Sequence, residues 1–128
     1  MSYSISHILQ GYANGYFLMA DEGANKGGPG LEWYTSKQRA LIPLDQRFRY
    51  PKSLQRALNQ NRFQVAINRD FAAVVEGCAD RTTTWISPEL KEVYYRLHRT
   101  GWAHSFETCQ GDLLAGVILG IVLGGAFI

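Results

Sequence analysis

Cysteine is scarce: Cys78 and Cys109 are the two in 128 residues, 31 positions apart. That spacing fits neither a metal-ligand pair nor a Cys-x-x-Cys redox pair, so both are read as reduced thiols, with no disulfide and no metal. The N-terminus lacks the order of a secretory signal, which with the thiols points to a cytoplasmic protein. No Ser/His/Asp or paired-carboxylate arrangement stands at a readable spacing. A Q/R-x-x-G-x-G/A pyrophosphate loop is missing too, which disfavours a coenzyme A-dependent acetyltransferase. There is no internal repeat. Charged residues make up 19% of the chain against 46% hydrophobic, and the 13 glycines follow no collagen-like period. Such a chain is globular, not disordered, and its length allows one real core.

What charge there is lies unevenly. The net charge is +2, yet residues 36–70 hold eight basic groups against Asp45 and Asp70. The segment thus carries +6 and the rest of the chain −4. Arg39, Arg47, Arg49, Lys52, Arg56 and Arg62 lie within it. A local basic field suits a polyanion such as RNA, and a solvated face with counter-charges elsewhere is the competing reading.

Hydrophobic periodicity sets the elements. Ser4 is placed to cap a first helix carrying Ile5, Ile8, Leu9 and Tyr12, with Gly15 as its stop. The glycine-rich stretch Asp21–Gly30 reads as a loop, and Pro43 limits Leu31–Leu44 to short or edge strands. Pro51 suits the first turn of a second helix, with Leu54, Ala57 and Leu58 on one apolar face. Residues 62–67 alternate as a half-buried strand. Asn68 or Asp70 then caps a third helix that turns Phe71, Val74, Val75 and Cys78 inward, and Arg81–Ile86 is a loop. Ser87-Pro88-Glu89 gives a fourth helix its cap, its N1 proline and an early acid. Leu90, Val93, Tyr94 and Leu97 form its stripe, and Gly101 ends it. Trp102–Cys109 reads as a strand, Gln110-Gly111-Asp112 as a hairpin turn and Leu113–Ile128 as further strand. The order is helical first, then β-α-α-β-β: an α+β or α/β chain with a mixed sheet toward the C-terminus, of which α+β is the expectation.

The uncharged tail needs a decision. Gly116, Gly120 and Gly124 repeat every four residues, a spacing that can mark paired membrane helices. Sixteen residues rise only about 24 Å as a helix, short of a roughly 30 Å hydrocarbon core. Val117, Ile118, Ile121 and Val122 fit strands of a buried sheet instead, with glycine where another backbone or a ligand comes close. The sheet is the expectation, and a small tail-anchored membrane protein the alternative. The run stops on Phe127-Ile128 as if a strand were cut in mid-course.

Several segments resemble the leucyl/phenylalanyl-tRNA–protein transferase family in order and spacing. Gly11-Tyr12-Ala13-Asn14-Gly15-Tyr16-Phe17 is similar to its A-Y-x-x-G-x-F helix end. Glu32-Trp33-Tyr34-Thr35-Ser36 with Arg39-Ala40 resembles its W-W-S-P-x-x-R-A strand entry. Glu76-Gly77-Cys78-Ala79 and Thr84-Trp85-Ile86 match x-x-C-A and T-W-I. Tyr94-Tyr95-Arg96-Leu97-His98 and Gly101-Trp102-Ala103-His104-Ser105 match Y-x-R-L-H and G-H-A-H-S, and Gly124 to Ile128 matches the strand leading into G-E-S-M-F. The likeness runs from about residue 4 to the last residue, and T-W-I, R-L-H and A-H-S at these intervals are specific together.

The resemblance implies a small helical N-terminal region, 1–61, packed on a partial GNAT-type acyltransferase core, 62–128. It also implies the reaction: Leu or Phe moves from aminoacyl-tRNA to the N-terminal Arg or Lys of an acceptor protein, which is thereby tagged for degradation. No metal or small cofactor takes part, no membrane is involved, and a monomer is implied. A charged tRNA is already activated, and an α-amino group with a pKa near 8 is partly neutral at pH 7. Positioning and oxyanion stabilisation can then supply most of the acceleration. Trp85, Tyr94 and Tyr12 match positions associated with the tRNA 3′ end, and Arg39, Arg47, Arg49, Lys52, Arg56 and Arg62 are phosphate candidates as a group. For Tyr12 and Tyr94, core packing is the default on spacing alone. His98 and His104 invite a general-base role, but a helix end and a strand favour structural histidines.

Departures from the family pattern are plain. Met19 stands where many members have tryptophan, Trp102 replaces the first histidine of G-H-A-H-S, and the N-terminal G-G-D-L is absent. The family's proposed catalytic residues lie beyond Ile128, so the 128-residue polypeptide is expected to be inactive alone. A non-catalytic tRNA-binding or vestigial module is the alternative.

Overall fold

The computed structural model describes residues 3–20 and 30–128, so the expected loop lies outside the described residues except for Gly30. The first helix, α1 (Ile5–Ala13), forms as its sequence requires: Ser4 Oγ accepts the His7 N–H at 3.1 Å, and Ile8 and Tyr12 turn into the core. Gly15, at φ +87°, lets the chain reverse behind it. Strand β1 (Phe17–Ala20) then pairs antiparallel with β2 (Leu31–Tyr34), Leu18 opposite Trp33. Gly11 matters here, because the Trp33 indole lies against it and any Cβ would overlap the six-membered ring.

Residues 35–51 form no helix or strand, and Leu41, Ile42 and Leu44 point into solvent. Helix α2 (Lys52–Asn59) follows, with Pro51 as its cap rather than its first helical residue. Its amphipathic pattern is real, but the expected packing is not: Leu54 and Leu58 are exposed and nothing in α2 is buried. Strand β3 (Gln64–Ile67) departs in the same way. Its alternation puts Phe63, Val65 and Ile67 on one face, and that face is open to solvent, so the strand is not half-buried as expected.

The remaining elements hold the core. Asp70, not Asn68, caps α3 (Phe71–Ala79), its Oδ1 accepting the Ala73 N–H at 3.0 Å. Asn68 instead adopts φ +56° and joins β3 to α3. Phe71, Val74 and Val75 are buried and Cys78 partly so. In α4 (Pro88–Arg99), Ser87 Oγ accepts the Leu90 N–H, Pro88 opens the first turn, and Leu90, Val93, Tyr94 and Leu97 are buried. Strands β4 (Ala103–Gln110), β5 (Leu113–Leu123) and β6 (Ala126–Phe127) complete a sheet in the order β3-β4-β5-β6. The α+β class holds, but every strand pair among the described residues is antiparallel, so the sheet is not mixed.

The tail is strand. No helix among the described residues is long and apolar enough to cross a membrane, and the glycine repeat serves the sheet instead. Gly124, at φ +58°, turns β5 into β6, splitting the one expected strand. Gly120 lies where a Cβ would sit 2.6 Å from the Ile128 carbonyl oxygen and 2.7 Å from the Phe127 ring, the close backbone approach its sequence context suggested.

One face of the sheet packs on α3 and α4. Ala103, Ser105, Glu107 and Cys109 alternate inward along β4, and Ile121 joins them from β5. Ala103 and Ile121 meet Phe71, Val75, Leu90, Val93, Tyr94 and Leu97 in a single cluster that also takes in Ile8, Tyr12, Leu18 and Leu31. A carboxylate on this face must be compensated. Glu107 Oε1 accepts the Asp70 N–H at 3.1 Å and the Ser105 hydroxyl at 2.8 Å. Burial pushes its pKa up, but these bonds outweigh that and hold it below the ordinary carboxylate range.

Candidate functional site

A cavity of about 550 Å³ opens where α1, the loop before α4, and β5 converge. Tyr12 from α1 and Tyr94 from α4 both reach it, and Trp85 stands at its rim. Packing and access thus coexist for the tyrosines: each is 6% exposed and still lines the cavity. Helix α4 places Tyr94 by its stripe, one turn after Leu90 and one before Leu97. Trp85 is held by its backbone. The Ala20 N–H donates to the Trp85 carbonyl at 3.0 Å, tying the loop to β1, and the Ile86 N–H donates to Thr84 Oγ1 at 3.1 Å. The indole itself is 44% exposed, so a face of it is available to a ligand.

The walls are mainly apolar. Burial raises the Tyr94 pKa far above the usual phenol range, so the hydroxyl stays protonated at any working pH. Burial raises that of Tyr12 too, against the Leu18 N–H that its oxygen accepts at 3.3 Å and the charge of Arg39. The same desolvation pushes the Cys78 thiol up, against the charge of Arg81, which disfavours the thiolate at the cavity wall. Phe17, Met19 and Ile86 add apolar surface, and Arg81, Thr83 and Thr84 supply the polar edge. The cavity can therefore hold an aromatic or aliphatic group beside a hydrogen-bonding one.

Sequence reasoning singled out three aromatic residues of this site and passed over Arg81 and the β5 segment Val117–Ile121, which also line it. Arg81 was legible only as a loop residue preceding Trp85. The β5 residues carry no polar mark at all, and topology alone brings them there.

The basic residues do not converge on the cavity as a group. Arg39 lies beside a cavity residue, its guanidinium 5.3 Å from the centre of the Phe17 ring and donating to the Gly15 carbonyl. Arg47 is paired with Asp45 at 2.7 Å, and Arg49 donates to backbone carbonyls of its own loop. Lys52 and Arg56 project from one side of α2 into solvent, and Arg62 sits over Phe63.

Both histidines of the C-terminal half are held by the fold. His98 stacks on Phe71 at 4.1 Å and its Nδ1 contacts the Ala103 carbonyl. His104 Nε2 lies 3.1 Å from the Gly101 carbonyl and its Nδ1 lies 2.9 Å from Asn68 Nδ2. Asn68 Oδ1 accepts the Ser105 N–H, so its amide N–H donates to Nδ1 and Nε2 is left to donate to the Gly101 carbonyl. No cluster of His, Cys, Asp or Glu among the described residues could hold a metal ion.

Fold and cavity together define an α+β protein with an aromatic-walled cleft between its N-terminal helix and its main sheet. The family model for leucyl/phenylalanyl-tRNA protein transferase matches residues 41–128, and the model for that family's N-terminal domain matches residues 1–37. The chain belongs to the leucyl/phenylalanyl-tRNA–protein transferase family. It is 68% identical over its whole length to a protein of that name from Trichormus variabilis, covering 64% of that protein. It is 74% identical over 91% of its length to one from Thermosynechococcus vestitus, covering 57% of it, and 43% identical over 99% to one from a Ruegeria species, covering 59%. The chain thus spans less than two thirds of the length of these curated relatives.

Proposed function

We propose that the whole protein transfers Leu or Phe from aminoacyl-tRNA to the N-terminal Arg or Lys of an acceptor protein in the cytoplasm, marking it for degradation. In that reaction the acceptor's α-amino nitrogen attacks the ester carbonyl and a C–N bond forms. The bond to the ribose oxygen breaks, and the amine's proton passes to that leaving oxygen. No bound cofactor is required by this balance. The share of the present chain is to hold the donor end: Trp85 stacks on the terminal adenine, while Tyr12 and Tyr94 wall the pocket for the Leu or Phe side chain. Region 1–61 contributes the basic group Arg39, Arg47, Arg49, Lys52, Arg56 and Arg62 toward the tRNA phosphates, and 62–128 the acyltransferase part of the cleft.

The convergence of Trp85, Tyr94 and Tyr12 on one cavity carries this reading. Three aromatic residues 73 and 9 positions apart have no local reason to meet. The test is titration of the chain with a non-hydrolysable phenylalanyl-adenosine amide, followed by indole fluorescence. Binding should weaken by about 1–3 kcal/mol in Trp85→Ala, the worth of one base on an aromatic ring. Undiminished binding in that variant, with the fold intact by circular dichroism, overturns the assignment.

A further inference from the structure

We propose that a second groove, on the face of α1 that carries His7 and Gly11, binds the base of the nucleotide preceding the terminal adenosine of the aminoacyl-tRNA. The inference rests on the donor-end reading above and adds a subsite to it.

An open groove of about 610 Å³ runs along that face, lined by His7, Gln10, Gly11 and Asn14 of α1 with Tyr16 and Trp33. Positions 7, 10, 11 and 14 share one side of the helix by their spacing. The lining is that of a base pocket. Tyr16, 43% exposed, offers an open ring, and the half-buried Trp33 is held by Tyr3, His7 and Tyr12, whose rings meet it at between 71° and 75°. Beside these rings stand two amides with unused capacity. Asn14 Nδ2 donates to the Gln10 carbonyl at 2.8 Å, and among the described residues Asn14 Oδ1 and the Gln10 side chain have no hydrogen-bond partner. Aromatic faces with amide donors and acceptors at their edge recognise an unstacked base. Among the described residues none that lines the groove is acidic, which disfavours a cationic peptide there.

The groove and the cavity share a wall. Sequence neighbours face opposite ways across it: Gly11 and Tyr16 line the groove, Tyr12 and Phe17 the cavity. The ring centres of Tyr12 and Trp33 are 5.7 Å apart through that wall. Arg39 stands at the seam. Its guanidinium lies 5.3 Å from the centre of the Phe17 ring, on the cavity side. It also donates at 3.3 Å to the carbonyl of Gly15, between the groove residues Asn14 and Tyr16. Arg39 forms no ion pair among the described residues.

A guanidinium so placed suits the phosphodiester that joins two nucleotides. With the terminal adenosine at the cavity and the next base in the groove, that phosphate falls to Arg39 between them. The adjoining position of the groove, its neutral aromatic and amide lining and the uncompensated cation at the seam then have one explanation. The base next to the terminal adenine is cytosine in every tRNA. The groove therefore adds affinity for a charged tRNA end without distinguishing one tRNA from another.

The experiment titrates the full chain with the phenylalanyl-adenosine amide and with the same compound extended by a 5′-linked cytidylyl group, read by indole fluorescence. The longer ligand should bind about tenfold more tightly, the worth of one further stacked base. Tyr16→Ala and Asn14→Ala, both at exposed positions, should keep the affinity for the shorter ligand and lose most of the gain from the added nucleotide. Arg39→Gln should shrink that gain and its dependence on salt. Equal affinity of the parent for the two ligands overturns the subsite and leaves the donor-end reading standing. A gain that survives both Tyr16→Ala and Asn14→Ala puts the added base elsewhere and sinks the subsite too. If neither ligand binds, the donor-end reading fails and this proposal with it. An Arg-initiated peptide that abolishes the gain, while the shorter ligand still binds, names the acceptor as the occupant and refutes the assignment to RNA.

Discussion

Helix α2 and helix α4 have the same kind of sequence and opposite fates. Both carry leucines at helical spacing with basic residues on the other side. In α4 the stripe is buried to the last leucine, Leu97 having no exposed surface, whereas α2 and the loop before it keep Leu54, Leu58, Leu41 and Leu44 in solvent. Periodicity therefore states which face of a helix wants cover, and says nothing of whether cover is present. In α4 the cover is β4, Phe71 of α3 and α1, elements brought together from across the chain. Among the described residues, none of the segment 35–61 belongs to the core cluster.

The sharpest way to break the contrast is to shorten one leucine in each region. Leu97→Ala removes a side chain from a fully packed site and should cost about 2–5 kcal/mol by urea denaturation, the transfer loss plus the cavity left behind. Leu41→Ala removes one that is 88% exposed and should stay within about 0.5 kcal/mol of the parent. Equal losses would mean that the loop packs in solution.

The same contrast explains what could be read from the sequence. Local chemistry was legible wherever a short stretch decides it: the Ser4 and Ser87 caps, the glycine stops at Gly15 and Gly101, and the four-residue stripe of α4. The β1 strand was not, because four residues are too few to show alternation and it exists through its pairing with β2. The exposure of Val65 and Ile67 has the same cause as that of α2: alternation specifies a face and not its cover. Of the site, Trp85, Tyr94 and Tyr12 came through the family likeness; on spacing alone the two tyrosines read as core, which they also are.

Between these extremes lies Glu107, a charge within the packed face. Its pKa is held below the ordinary value by the Asp70 N–H and the Ser105 hydroxyl, despite its burial. A depressed folded-state pKa contributes stability that is present above the unfolded value, near 4.3, and is lost as pH falls through the folded one. Stability of the parent should therefore drop as the solution is acidified below about pH 4. Glu107→Gln, which can still accept both bonds but cannot titrate, should be less stable at neutral pH and should flatten that acid limb. An unchanged limb would place the acid sensitivity elsewhere, with Glu76 beside Lys91 and Tyr95 the first alternative.

The smallest effect on stability should come from the region with the most charge. Lys52 and Arg56 lie four apart on α2, and among the described residues their side chains form no hydrogen bond or ion pair. Replacing either with alanine deletes no packed surface, and the change in stability should stay within about 0.5 kcal/mol. Their role under the proposed function is electrostatic and shows in a different measurement. Each phosphate that a basic residue neutralises releases counterions, so the slope of log K against log salt reports how many such contacts exist. The double variant should bind tRNA more weakly at low salt and lower that slope by about 0.7–0.9 per lost charge, with no preference among tRNA sequences. A slope unchanged from the parent would show that α2 faces water rather than RNA. Phosphate contacts would then fall to the remaining basic residues of 36–70, with Arg39, which lies over the cavity residue Phe17, the first to test.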